Sequence, residues 1–224
     1  MMNKEELTIG SLLDLTKTYA AKIFEGLTYP WEALPKISEY IMTVGPSLSK
    51  DEFEKRGENI WVAKSAKIAP TAFLAGPLII FPGAEVRHCA FIRGSAIVGS
   101  ESVTGNSTEL KNCIIFKGAQ VPHYNYIGDS ILGHRAHLGA GAITSNLKSD
   151  KSIVTVPIDD CKINTELKKF GAIVGDFVEV GCNSVLNPGT VIGRGTTVYP
   201  LSMVRGTIPA NSIYKKAGEI AEKI

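Results

Sequence analysis

Stepping six residues at a time from Val62 reads Val62, Ile68, Leu74, Ile80, Val86, Ile92, Val98, Thr104 and Leu110, and eight of those nine are aliphatic. The count slips by one to Ile115, runs through Val121 and Ile127, slips again to Leu132 and reaches Leu138. After an interruption the step returns at Val174, Val180, Leu186, Ile192, Val198 and Val204. Small residues tend to stand two places before each aliphatic, as at Ala84, Ala96, Ala172 and Ser184, and glycine often follows it directly, as at Gly99, Gly139, Gly175 and Gly181. A six-residue period matches neither the 3.6 of a helix nor the alternation of a two-faced strand. It matches a solenoid of very short strands, each turned at a corner where glycine relieves the backbone and one aliphatic points to the axis. If three such hexads close one coil, roughly twenty of them stack as about six to seven coils over about 32 Å at ~4.8 Å per layer.

Other segments fall outside the stack. Residues 1–56 carry helical patterns, one through Leu12, Leu13, Leu15, Tyr19 and Ile23, another from Trp31 to Val44 behind Tyr29-Pro30. They are expected to cap the open first coil or lie against it, as repeat arrays require. The repeat domain is placed at 57–208 and is interrupted at 147–170 by a polar stretch. There Ser152 to Val156 and Cys161 to Thr165, split by Asp159-Asp160, predict a small hairpin on a projecting loop, a common place for function. Residues 209–224 leave the repeat and are expected to end in a short helix.

Composition narrows the function classes. Lys+Arg 24 against Asp+Glu 22 leaves a net charge of +2 with no basic stripe, which argues against nucleic acid. No apolar run approaches the ~18 residues of a membrane helix, and Glu5 and Glu6 argue against a secretory leader. Cys89, Cys113, Cys161 and Cys182 form no CxxC pair, so neither a disulfide framework nor a zinc ribbon is expected. The expectation is a soluble, cytoplasmic protein that needs no metal.

The period also places residues in space. Arg93 and Lys111 are eighteen apart, each directly after an inward aliphatic, so they should stack one layer apart, roughly 5 Å. Like charges this close repel unless an anion lies between them, and a phosphate would satisfy both. Three of the four histidines, His123, His134 and His137, crowd between Gly118 and Asn146. Counting faces through the two slips puts His123 beside Pro122 in a tight corner. Tyr126 then starts the next face, the one that carries Arg93 and Lys111, so His123 is expected to border the cation column around a single corner.

The hexads resemble the repeat of the left-handed parallel β-helix, a resemblance that implies three hexads to a coil. Three runs are more specific: Gly105-Asn106-Ser107-Thr108-Glu109-Leu110-Lys111, His123-Tyr124-Asn125-Tyr126-Ile127-Gly128-Asp129 and Leu138-Gly139-Ala140-Gly141-Ala142-Ile143-Thr144-Ser145-Asn146. They resemble the acetyltransferase domain of bifunctional N-acetylglucosamine-1-phosphate uridylyltransferases. They are also similar to the C-terminal part of archaeal sugar-phosphate nucleotidylyltransferases with amino-sugar acetyltransferase activity. The resemblance covers about residues 90 to 206.

It implies acetyl transfer from acetyl-CoA to an amino-sugar 1-phosphate, of glucosamine or galactosamine type, without a covalent enzyme intermediate. His123 would be the general base, since imidazole ordinarily titrates near working pH. Arg93, Lys111 and Tyr126 would hold the sugar phosphate, with Asn146 and His137 at the sugar and Lys151 as a further contact. The Ala140 amide would face the thioester oxyanion. Pantetheine would run past Gly175, Cys182 and Pro200, with Lys215 or Lys216 at the nucleotide phosphates. A homotrimer with sites between subunits is implied as well.

The sequence departs from the pattern where His137 replaces a usual Asn, Cys182 a common Ser and Ala142 a frequent Thr. No nucleotidyltransferase domain precedes the repeat, so the acyl-transfer half alone is expected. A β-helix carbonic anhydrase is disfavoured because its third histidine would fall at Gly128. The remaining alternative is a non-catalytic module for sugar-phosphate or sugar-nucleotide binding or for oligomerisation.

Overall fold

In the computed structural model, which describes residues 2–159 and 161–223, the hexads wind into a parallel β-helix. Three faces repeat. One is built on Ile60–Ala63, Leu78–Ile80, Ala96–Val98, Ala172–Val174, Thr190–Ile192 and Thr207–Ile208. A second carries Phe73–Leu74, Phe91–Ile92, Ile143–Thr144, Val185–Leu186 and Met203–Val204. The third runs from Lys67–Ile68 through Gln120–His123 and His137–Leu138 to Ser212–Lys216. Coil-to-coil pairing is parallel and keeps the inward residues in step: Val86 lies on Thr104, Leu110 on Ile127, Val180 on Val198 and Val198 on Tyr214.

Nearly the whole aliphatic series lines one core, with Ile68 and Leu74 of the first coil only partly buried. The stack is taller than the period suggested. The third face has eight parallel rungs, because Ile208 and Tyr214 continue the inward row beyond Val204. The tail therefore forms the strand Ser212–Lys216 and folds back through Glu219–Glu222, and the expected terminal helix is absent. β-branched and aromatic residues at Ile213 and Tyr214 suit a strand, and burying Tyr214 against the last coil closes that end.

The corners also turn differently from expectation. The left-handed residue stands three places after the inward aliphatic, as at Cys89, Ser107, Tyr124, Asn183 and Leu201. The glycine directly after the aliphatic serves space instead. A methyl group at Gly139 would sit 2.8 Å from the Cys182 amide nitrogen of the next coil.

The N-terminal segment lies along the length of the first face rather than over the first coil. Met2 N donates to Thr207 Oγ1 near the last coil, whereas Phe53–Gly57 pairs antiparallel with Ile60–Ala63 at the first. The single long helix expected over residues 12–23 is broken into Ile9–Leu12 and two 3-10 turns. Its breaker is Asp14, whose side chain caps Thr16 N while its own amide donates to Asp176. The second helix exists as Ile37–Val44 behind a 3-10 stretch, Pro30–Lys36. Trp31, Leu34, Ile37 and Ile41 bury against Ile79, Ile97, Ile114, Ile131 and Ile173, the outward residues of this face. Each such side chain taken fully from water is worth roughly 1.5–3 kcal/mol, enough to hold short helices that would not persist alone.

The hairpin forms as Thr155–Ile158 and Cys161–Asn164, and its turn includes Asp160, which lies outside the described residues. It does not project freely, because Val154, Val156 and Ile158 are buried in the same lateral core. No described helix is long and apolar enough to cross a membrane.

Thr104 is the exception in the aliphatic row. It is fully buried, and its Oγ1 has no hydrogen-bond partner among the described residues. An unpartnered buried hydroxyl costs ~1–3 kcal/mol. Thr104→Val keeps the shape and removes the hydroxyl, so stability should rise by about 1 kcal/mol and Tm by about 2–4 °C, read by thermal or urea unfolding.

Candidate active site

The two slips in the period shape the site. At Leu110 to Ile115 and Ile127 to Leu132 the corner loses one residue, and the chain runs through it as the continuous strands Glu109–Ile115 and Tyr126–Leu132. The left-handed residue moves one place closer to the aliphatic, to Asn112 and Asp129. This stacks Lys111 on Gly128 and brings the Asn112 and Asp129 side chains together, with Nδ2 2.9 Å from Oδ1.

Asp129 is the hub of this edge. Its carboxylate, only 6% exposed, accepts from Lys111 Nζ at 3.0 Å. It also accepts from Asn146 Nδ2, which lies 3.3 Å from the Tyr126 hydroxyl. One coil below, Arg93 Nη1 is 2.7 Å from Glu109 Oε1, which stabilises the guanidinium in its charged form. Burial, reinforced by the negative charges of Asp129 and Glu109, pushes the Tyr126 phenol above its ordinary range.

Arg93, Lys111, Tyr126 and Asn146 thus gather on one edge, the first three on the face the period gave them and Asn146 where the resemblance put it. The two cations do not wait for an anion between them, because each already has its own carboxylate. Sequence reasoning missed those partners, although the register was a signal: Glu109 pairs with Phe91 and Tyr126, and Asp129 lies eighteen places after Lys111.

His123 occupies the next corner. It ends the strand Gln120–His123, is exposed, and its imidazole has no hydrogen-bond partner among the described residues. Lys111 is paired with Gly128, two residues or about 7 Å beyond Tyr126 along the strand. The imidazole and the cations therefore stand at opposite edges of one face rather than side by side around a corner.

A vertical column begins at His123. Its carbonyl accepts from Gly141 N at 3.0 Å, Ala140 O accepts from Asn183 N at 2.8 Å, and Cys182 O accepts from Leu201 N at 2.9 Å. His123, Ala140, Cys182 and Pro200 are thereby stacked on a single edge. The buried Asn125 side chain fastens its first step, with Oδ1 accepting from His123 N and Nδ2 donating to Gly139 O and Ala142 O. The Ala140 amide has no acceptor among the described residues. Pro70, Pro82, Pro188 and Pro200 take the same place, two after an inward residue, in other coils, so this amide belongs to no ladder bond.

The other expected residues lie elsewhere in the chain. Gly175 is at a different corner, where Asp176 N donates to Leu12 O beneath the N-terminal segment. His137 faces out from the third face, Nδ1 2.8 Å from Glu179 Oε2. Lys151 sits on the turn that opens the inserted segment and makes no hydrogen bond to the cluster. Lys215 falls in register with Tyr199, one place short of Pro200, and pairs with Glu219.

Fold and site together define a hexapeptide-repeat β-helix domain with a hydrogen-bonded polar cluster on one edge and a histidine-headed column on the next. The chain belongs to the family of the GMPPB C-terminal domain, whose sequence model matches residues 74–193. It is 30% identical over 227 residues to the bifunctional protein GlmU of Methanococcus vannielii, covering 97% of this chain and 54% of that protein. It is likewise 30% identical over 126 residues to a bifunctional sugar-1-phosphate nucleotidylyltransferase/acetyltransferase of Sulfurisphaera tokodaii, covering 56% of this chain and 31% of that one. The chain spans about half the length of the Methanococcus protein and under a third of the other.

Asp129→Asn tests the hub directly. Removing its charge removes a repulsion felt by the phenolate and frees a nearby ammonium, so the Tyr126 pKa should fall. A pH titration of Tyr ring carbons by NMR, assigned with Tyr126→Phe, reads this, and an unchanged value would remove Asp129 from the site's electrostatics.

Proposed function

We propose that this domain transfers an acetyl group from acetyl-CoA to the amine of an amino-sugar 1-phosphate. The reading rests on one observation: an unencumbered imidazole and an unencumbered amide, at His123 and Ala140, are stacked on consecutive coils. Across the adjoining face lie groups suited to a sugar phosphate.

The amine nitrogen attacks the thioester carbonyl while His123 takes its proton, and the new C–N bond forms. The Ala140 N–H lies where it can donate to the developing oxyanion. The C–S bond then breaks, and the imidazolium returns the proton to the departing thiolate of CoA. No enzyme-bound acyl group is needed. Tyr126 and Asn146 orient the sugar, and Cys182 and Pro200 border the pantetheine arm. Arg93 can turn from Glu109 to the phosphate at little cost, since solvent screens an ion pair this exposed. The similarity to bifunctional nucleotidylyltransferase/acetyltransferase proteins supports the reading, with the acetyl-transfer half assigned to this domain.

We also propose a homotrimer. Phe73, Phe91 and Met203 on the second face and Leu201 on the His123 edge are exposed, the last by 79%, which fits a face covered by another copy. Lys151, His137 and Lys215 would contribute through such neighbours, whereas Gly175, buried beneath the chain's own N-terminal segment, would not.

One observation favours a second reading, a binding or oligomerisation module without catalysis: both cations are already neutralised by Glu109 and Asp129, which among the described residues leaves no free cation beside Asn146 for the phosphate of a reacting sugar. Thiol release from acetyl-CoA with glucosamine 1-phosphate or galactosamine 1-phosphate separates the two. His123→Ala should slow turnover by ~10²–10⁴-fold, the usual contribution of a general base, with the oligomer intact by light scattering. A full rate in that variant would remove His123 from the mechanism, and no turnover with any amino-sugar phosphate would favour the binding module.

A further inference from the structure

Further along the edge that carries Lys111 and Asn146, the inserted hairpin lies down on the solenoid and encloses a cavity of about 590 Å³. Two glycines permit the close approach. A methyl group at Gly189 would meet Val154 Cγ1 at 2.7 Å, and one at Gly206 would meet Pro157 Cγ at 3.1 Å. The volume is that of a small-molecule site. Leu147, Pro157 and Pro188 supply apolar wall, and Ser145, next to Asn146 in the chain, lines it toward the polar cluster.

The charge of the lining is one-sided. Lys148, Lys162 and Arg205 line the cavity against a single carboxylate, Asp150. Among the described residues neither Lys162 nor Arg205 forms an ion pair. Asp150 is engaged with its own turn, Oδ1 accepting from Ser152 N at 3.0 Å and Ser152 Oγ at 2.8 Å, and its Oδ2 lies 3.9 Å from Lys148 Nζ, so the cations unmatched among the described residues are Lys162 and Arg205. Arg93 and Lys111 on the same edge are each matched by a carboxylate. The uncompensated positive charge of this edge is therefore inside the cavity.

We propose that this cavity is a binding site for a phosphorylated small molecule carrying two or more phosphate charges, held by Arg205 and Lys162 with Lys148 at the rim. Arg presents a planar fork suited to phosphate oxygens, and Lys a compact charge that reaches the same group from the hairpin side. The site is distinct from the acetyl-transfer reading and does not depend on it.

The test is isothermal titration calorimetry on the full chain at fixed ionic strength. The probes are inorganic pyrophosphate, UDP and glucose 1-phosphate, which separate a diphosphate, a nucleoside diphosphate and a phosphate monoester. Pyrophosphate and UDP should bind the wild type more tightly than the monoester. Arg205→Gln and Lys162→Gln should each weaken them roughly tenfold or more, as loss of a charge-assisted contact does, while Lys36→Gln, an exposed cation of the N-terminal segment, should not. Unfolding midpoints equal to wild type show that the hairpin still seats. Absence of heat with all three probes, or equal affinity in the Arg205→Gln/Lys162→Gln double variant, would overturn the proposal. Acetyl transfer that persists in that variant while pyrophosphate binding is lost would support two separate sites.

Discussion

Closing a triangle from strands of two or three residues forces the backbone to turn sharply three times per coil. An L-residue makes that turn only by entering the left-handed region, at ~1–2 kcal/mol each. The chain accepts this at Cys89, Tyr124, Phe177 and Leu201, none of them glycine. The strain persists because the turn amides bond to the preceding coil, Tyr124 N to Asn106 O, Phe177 N to His134 O, Leu201 N to Cys182 O and Cys89 N to Thr71 Oγ1, and because the inward aliphatic beside each turn has no other place to bury. Side chains on one corner are thereby stacked at the spacing of the sheet ladder. Columns of chemistry such as His123–Ala140–Cys182–Pro200 follow from that spacing rather than from any local motif.

The two five-residue steps change this rule at one edge only. By removing a corner residue they straighten the chain, shift the left-handed position onto Asn112 and Asp129, and bury a carboxylate that a normal corner would leave in water. The same edge, one coil further on, expels the inserted segment after Asn146, whose carbonyl accepts from Phe170 N at 2.9 Å as the chain returns. Departures from the repeat and the polar cluster therefore coincide, and they do so for a geometric reason.

Most of the fold was legible because an inward position tolerates few residue types. The row from Val62 to Val204 was read in register, slips included, and the hairpin was found from its β-branched runs on either side of Asp159-Asp160. The site was legible only in part. The period tells which residues share a face, so Arg93, Lys111 and Tyr126 were grouped from it, and Asn146 joined them only through the family resemblance. It says nothing about which way long side chains swing, so the pairing of both cations with Glu109 and Asp129 was hidden. The break in the helical pattern at Asp14 was also hidden, because its cause is a buried carboxylate more than 160 residues away. Tyr214 was missed because the third slip, from Val204 to Ile208, ended the count too early.

The N-terminal segment decides which faces can carry chemistry. It buries the outward isoleucines of one face along most of the stack, and the inserted hairpin extends that cover to Val191. Two faces and the edges beside them stay open, and the polar groups divide between those edges. One holds an imidazole and an amide with no internal partner, the groups a reaction can recruit without first breaking a bond. The other holds cations, matched by carboxylates beside Asn146 and, among the described residues, unmatched at Lys162 and Arg205 beneath the hairpin. An anionic ligand drawn to this edge gains more where no carboxylate must be displaced. The local charge balance, more than the number of basic residues, therefore sets where along the column it settles.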